Sequence, residues 1–155
     1  MILSALNGHK DISSLLIKQG KCNINATHAA NRTALMTAAH EGRQDIVSLL
    51  LANSSCDAKL KDKSGITALM DACMKGRSEI VSLLLPISNI NDQDKKGMTA
   101  LMHCCRHGHT RVVSILLSTN CNVDICDNEG STYIHTLTHS LTYFLLRRSC
   151  CSWLC

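Results

Sequence analysis

The stretch from Asp62 to Leu85 reads D-K-S-G-I-T-A-L-M-D-A-C-M-K-G-R-S-E-I-V-S-L-L-L, and the rest of the chain is built of closer or poorer copies of it. The word T-A-L-M begins at Thr33, Thr67 and Thr99 and persists as T-Y-I-H at Thr132, so the spacings are 34, 32 and 33 residues. Self-similarity at such a period marks a stacked array, in which each small unit buries its apolar face against the next.

Within a copy, a glycine stands nine residues after the threonine, at Gly42, Gly76 and Gly108. An apolar block follows it, as Ile46-Val47 and then Leu49-Leu50-Leu51. That order predicts two short helices with a turn between them. The threonine oxygen can accept a hydrogen bond from a free N–H of the first helix. Ala34, Ala68 and Ala100 then favour helix, and the glycine suits the left-handed residue that ends it. Asp11, Asp45 and Glu79 open the second helix, where the positive end of the helix dipole favours acids; Arg111 occupies that place in the fourth unit against the preference. The polar links end in D-x-x-G, as in Asp62 to Gly65 and Asp94 to Gly97, which reads as a tight turn at the tip of a hairpin-like finger.

The order D-x-x-G-x-T-A-L-M-x-A-x-x-x-G-x-x-x-I-V-x-L-L-L resembles the ankyrin repeat, D-x-x-G-x-T-P-L-H-x-A-A-x-x-G-H-x-E-I-V-x-L-L-L, over residues 1–132. The resemblance implies an all-α solenoid of stacked helix-turn-helix units with projecting β-hairpin-like loops, used to bind other proteins. Two positions depart from the family. Its proline after threonine is alanine here, and its next histidine is Met36, Met70 or Met102; only His135 restores it. Methionine packing must therefore replace the family's threonine–histidine hydrogen bonds. The expected organisation is an array over residues 1–149 and a Cys-rich tail at 150–155. The array comprises a partial unit 1–27, units 28–61, 62–93 and 94–126, and a degenerate capping unit 127–149.

Composition agrees with thin layers. Hydrophobic residues make up 45% of the 155, yet aromatics are 3% and all lie at or beyond Tyr133. Aliphatic and sulfur-containing side chains must fill the core of the earlier units. The net charge of +4 is too mild to argue for nucleic acid or a membrane surface. No apolar run reaches the length of a membrane span, and Met1 to Leu6 is too short for a signal peptide. A soluble cytoplasmic monomer is the expectation.

Six of the ten cysteines fall on repeat positions that want a small residue: Cys22, Cys56 and Cys121 before the finger, and Cys73, Cys104 and Cys105 on the first helix. Buried spacers are expected there. Equivalent positions lie one layer apart, roughly 10 Å for packed helices, which is beyond disulfide reach. Reduced thiols, and hence the cytosol, follow.

The ends are less regular. Counting back from Gly8 places Met1 on the leucine of T-A-L-M, so Ile2, Leu3 and Leu6 are expected to be frayed or covered by something further. Pro86, the only proline, should stop the second helix of the third unit. In the last copy residue 141 is leucine where glycine is expected, and Leu145-Leu146 come early, as in a compressed cap. The tail Cys150, Cys151 and Cys155 follows two arginines, a setting suited to palmitoylation, while Ser152 excludes a prenylation box.

His103-Cys104-Cys105-Arg106-His107-Gly108-His109 is rich in metal-ligating types, but its spacing is not that of C-x2-4-C or H-x3-5-H, and repeat positions account for both cysteines and His109. His40-Glu41 lacks the second histidine of a metalloprotease because residue 44 is glutamine. No phosphate loop, dinucleotide fingerprint or nucleophile elbow occurs. No cofactor, metal or catalytic residue is expected.

What remains is the surface that the repeat leaves free to vary. Carried over from the family, the partner-binding strip comprises Lys63 and Ile66 of the third finger with Asp71, Met74 and Lys75 of its helix. In the fourth unit it comprises Lys95, Lys96 and Met98 with His103, Arg106 and His107. Ser64 joins the third finger, and Ala29, Ala30, Arg32, Thr37, His40 and Glu41 extend the strip into the second unit. A basic strip with Met74, Met98 and Ile66 as apolar anchors implies an adaptor that captures another protein or peptide, an acidic one. Two other classes remain open from the sequence: the targeting segment of a larger enzyme such as a kinase or acyltransferase, and a metal or redox module using the Cys-His cluster.

Overall fold

A computed structural model describes residues 1–20, 22–28 and 30–132. Among these, eight α-helices run in pairs: α1 (Ile2–Asn7) with α2 (Lys10–Lys18), α3 (Ala34–Glu41) with α4 (Gln44–Leu51), α5 (Ala68–Met74) with α6 (Ser78–Leu84), and α7 (Ala100–Arg106) with α8 (Thr110–Leu117). First helices stack on first helices and second on second, so α3 lies between α1 and α5, and α6 between α4 and α8. The expected solenoid is present. The capping unit beyond Thr132 and the tail at 150–155, with His135, lie outside the described residues.

The threonine caps set the start of each unit. Thr33, Thr67 and Thr99 sit in extended backbone, and each hydroxyl oxygen accepts from the N–H three residues on, of Met36, Met70 and Met102, at 3.2, 3.3 and 3.4 Å. At the fourth unit the methionine does more than pack. The Thr99 N–H donates to the Met102 sulfur at 3.5 Å, so a thioether closes the reciprocal cap that a polar side chain ordinarily closes.

The turn between the helices depends on a second contact that the repeat pattern does not announce. The side chains of Arg43, Arg77 and His109 lie over Gly8, Gly42 and Gly76 of the preceding unit; a Cβ on Gly76 would come within 2.6 Å of the His109 ring. Gly76 also has φ +66, and His109 Nε2 donates to the Met74 carbonyl at 2.9 Å. Glycine is thus required twice, for backbone conformation and for layer spacing.

The core is a column of aliphatic layers. Leu35, Met36, Ile46, Val47 and Leu50 fill one layer, and Leu69, Met70, Ile80, Val81 and Leu84 the next. Leu50 and Leu84 are fully enclosed, so truncating either to alanine should cost about 2–5 kcal/mol. Cys73, Cys104 and Cys105 are buried spacers as expected, whereas Cys22, Cys56 and Cys121 are only half-buried. That correction follows from their place in the link to the finger, four or five residues beyond the end of the second helix at Lys18, Leu51 or Leu117. Partial burial, with the Asp57 charge adding to it, still pushes the Cys56 thiol up to about 11. Helix α6 stops at Leu84 and a 3-10 turn, Leu85–Ile87, carries Pro86, which fits the proline's role as a stop.

Each finger is organised by its aspartate. Asp62 Oδ1 accepts from the N–H groups of Ser64 and Ile66, and Asp94 Oδ1 from those of Lys96 and Met98, at 2.7–2.9 Å. The backbone closes the loop, with Asp62 N–H donating to the Ile66 carbonyl and Asp94 N–H to that of Met98. Successive tips are joined as well: Lys63 N–H donates to Ala30 O, Lys95 N–H to Ser64 O and Asn128 N–H to Lys96 O. No β-strand forms among the described residues, so the fingers are stacked turns rather than ladders. In the second unit His28 replaces the aspartate, its Nδ1 accepting from Ala30 N–H at 3.2 Å, and Asn31 takes the left-handed place of glycine at φ +57.

Helix α1 is formed rather than frayed, and its Gly8 cap is left-handed like the others. Leu3 and Leu6 on it are exposed, at 70% and 42%.

Candidate binding groove

Because the units repeat, three positions after each threonine face the same way: the fourth, seventh and eighth. They are Thr37, His40 and Glu41 on α3, Asp71, Met74 and Lys75 on α5, and His103, Arg106 and His107 on α7. By the same count Leu3, Leu6 and Asn7 hold these places on α1. In the fourth unit finger and helix meet at Asp94 with His103 and at Met98 with Arg106, and the finger tips carry Lys63, Lys95 and Lys96.

The structure divides the expected strip into a surface set and a buried set. Lys63, Lys75, Lys95, Lys96, Arg106 and His107 are exposed, and none of them forms an ion pair among the described residues. Met74 is half-buried. Ile66 and Met98, expected as exposed anchors, are 7% and 4% exposed. The reason lies in the finger turn: the aspartate fixes the residue before the threonine with its side chain directed into the stack. Arg106 covers Met98 further, its Nη1 lying 3.7 Å from the sulfur.

Asp71 and His103 are also removed from the surface, at 1% and 7% exposed. Asp71 holds two units together. One carboxylate oxygen accepts from Arg32 Nη2 at 2.7 Å and the other lies 3.2 Å from His40 Nδ1, while Arg32 Nη1 donates to Asp62 at 3.3 Å. Burial pushes the Asp71 carboxyl above its ordinary value, and Arg32 and His40 pull it back. In the next unit His103 occupies the same position and its Nε2 pairs with Asp94 Oδ2 at 3.0 Å, tying helix to finger. Burial pulls the His103 imidazole below its ordinary value, with Asp94 opposing. His107 is lowered too, by burial first and then by the charges of its neighbours.

Neither polar cluster was visible in the sequence as a cluster. Arg32, His40, Asp71 and His103 stood at variable positions, which signals freedom from the scaffold but does not say whether a side chain turns outward or to a neighbour. The other feature missed is aliphatic: a cleft of about 550 Å³ lies between α1 and the second unit, lined by Ile2, Leu3 and Leu6 on one side and by His28, Arg32, Thr37, His40 and Glu41 on the other. The count back from Gly8 gives Leu3 and Leu6 the fourth and seventh positions of the row, but the strip read from the sequence began at Ala29, with Leu3 and Leu6 expected to be frayed or covered.

Among the described residues no group of three or more His, Cys, Asp or Glu is placed to hold a metal ion. No helix among them is long and apolar enough to cross a membrane.

Stacked helix pairs, threonine-capped first helices and turned fingers define a helical-repeat solenoid. Compared with known families, the chain matches ankyrin repeats (3 copies) over residues 1–94, 52–128 and 69–155, and it belongs to the ankyrin repeat family. No curated protein matches the chain as a relative. Ankyrin repeats are in general protein–protein interaction modules, typically without catalysis of their own.

Proposed function

We propose that this chain is a non-enzymatic, cytoplasmic adaptor that works as a monomer and captures a partner protein or peptide on the concave face between its fingers and first helices. The supporting observation is that Lys63, Lys75, Lys95, Lys96 and Arg106, at the finger tips and at the variable positions of the first helices, are exposed and form no ion pair among the described residues. The partner surface is therefore acidic. His107 belongs to the same rim, and Met74 is the apolar contact among them. Ile66, Asp71, Met98 and His103 act from below, holding the finger and helix positions that carry the cations.

The test is a pull-down with the intact chain and with the double variant Lys96→Glu/Arg106→Glu. Capture of an acidic partner should be lost while the melting curve stays unchanged, since both side chains are exposed. Undiminished capture by the variant would retire the groove. If the rim cations act by steering, added salt should slow association more than it speeds release.

A further inference from the structure

The face is not uniform along the stack, and its gradient says something about the partner beyond its charge. At the seventh position after the cap the residues run Leu6, His40, Met74, Arg106, and at the eighth Asn7, Glu41, Lys75, His107. The row thus changes from an uncharged first unit, through a second unit that carries the acid Glu41, to a basic third and fourth. Its second-unit section carries no spare positive charge on Arg32, because both terminal guanidinium nitrogens are taken by Asp62 and Asp71, and Glu41 adds a negative charge there. An acidic group would be disfavoured at that end and favoured over the third and fourth units. Beside Glu41 lies the 550 Å³ cleft, with Leu3 and Leu6 standing in its wall and open to solvent. A cleft of that size holds a small-molecule-sized group, or a few side chains of a peptide with a bulky aliphatic residue among them, rather than a folded domain.

Resting on the concave-face reading, we infer that the groove is polarised and takes an extended segment of a partner protein, with a bulky aliphatic residue seated in the Leu3–Leu6 cleft and acidic residues over Lys63, Lys75, Lys95, Lys96 and Arg106. Leu3 and Leu6 on α1 and the first cation of the helix row, Lys75 on α5, are two layers apart, roughly 20 Å at the spacing of packed helices. An extended chain covers that span in about six residues. The aliphatic anchor and the acids are therefore separated in sequence by about that number.

The test is selection of a displayed library of random 12-residue peptides on the intact chain, on Leu3→Ser/Leu6→Ser and on Lys96→Glu/Arg106→Glu. Both leucines are exposed, so the serine variant should keep the wild-type melting curve. Peptides enriched on the wild type should share an aliphatic residue about six positions from a cluster of acids. The serine variant should lose the aliphatic preference and keep the acids; the charge-reversed variant should lose the acids. For one selected peptide, replacing its aliphatic residue by serine should weaken binding roughly tenfold on the wild type and less than twofold on Leu3→Ser/Leu6→Ser. Acids enriched without an aliphatic partner would overturn the cleft and leave the basic groove standing. An aliphatic preference that persists on the serine variant would overturn the cleft as well. No enrichment, or enrichment without acids, would overturn both.

Discussion

Asp71 is the residue whose sequence role and structural role differ most, and replacing it separates them. In Asp71→Leu the Arg32 guanidinium loses its 2.7 Å partner and His40 its carboxylate, while Arg32 keeps the 3.3 Å contact with Asp62. Removing one member of a fully buried pair costs about 3–5 kcal/mol because the other charge is stranded. Arg32 is not fully buried, its side chain being 22% exposed, so water and Asp62 recover part of that cost. About 2–3 kcal/mol is expected, which for a chain of this size lowers the melting temperature by about 5–10 °C. Urea unfolding of Asp71→Leu, Arg32→Met and the double variant should show that the double is clearly less destabilised than the sum of the singles, because neither Arg32 nor Asp71 is left stranded and Asp62, though it loses its 3.3 Å contact with Arg32, keeps the Ser64 and Ile66 N–H groups. Partner capture by Asp71→Leu, measured well below its melting point, should be intact. A loss under about 0.5 kcal/mol in the single variant, the size of an ordinary surface substitution, would refute the account of Asp71 as a buried clasp. So would a double variant as unstable as the sum of the singles.

Gly76→Ala should cost about 2–4 kcal/mol, combining a left-handed backbone penalty with displacement of His109 and its bond to Met74. Gly20 has a similar φ of +62 but nothing within 4 Å of a Cβ, so Gly20→Ala, measured by the same denaturation, should show the backbone penalty alone. Lowering the pH should destabilise the array through His103: its folded pKa lies below the ordinary 6.5, so the unfolded chain takes up the proton first, and stability is full above about pH 6.5 and falls as pH drops toward the folded value. His103→Gln should flatten that part of the melting temperature against pH; an unchanged slope would assign it elsewhere. Ser88, which stands where other units have Cys22, Cys56 and Cys121, has a buried hydroxyl with no hydrogen-bond partner, and Ser88→Cys should stabilise by about 1 kcal/mol in a thermal melt.

How far the sequence could be read depended on whether a residue's role repeats. The threonine caps, the helix pairs, the aliphatic layers and the Asp-led finger turns all recur at fixed spacing, and each was legible because three copies of one pattern exclude chance. The contact of Arg43, Arg77 and His109 with the preceding glycine recurs too, but two residue types fill it, so a pattern of identities passed it over. The groove was legible only as a set of positions. Ile66 and Met98 lie between an aspartate-fixed turn and a threonine cap, and the backbone leaves those side chains one direction, inward. Lys63, Lys95 and Lys96 sit where the turn projects and remain exposed. The variable positions on the helices divide by what happens to lie opposite. Asp71 meets Arg32 and His40, and His103 meets Asp94, whereas Lys75 and Arg106 meet no acid among the described residues.

That division has a consequence for how such an array can change partners. A variable position that finds a complement in the next unit becomes part of the scaffold, since loss of its partner strands a buried charge; Asp71 with Arg32 and His40 is in this state. A position without a complement can change sign at little cost to folding, because exposed substitutions away from such features usually stay within about 0.5 kcal/mol. On the proposed reading, specificity resides in Lys63, Lys75, Lys95, Lys96 and Arg106 and in the exposed leucines of α1, while the positions beside them keep those side chains presented. Reversing a clasp such as Asp71 with Arg32 should move the melting curve and spare the partner, and reversing a rim cation should do the opposite. The two measurements together decide, residue by residue, which side of the division each position is on.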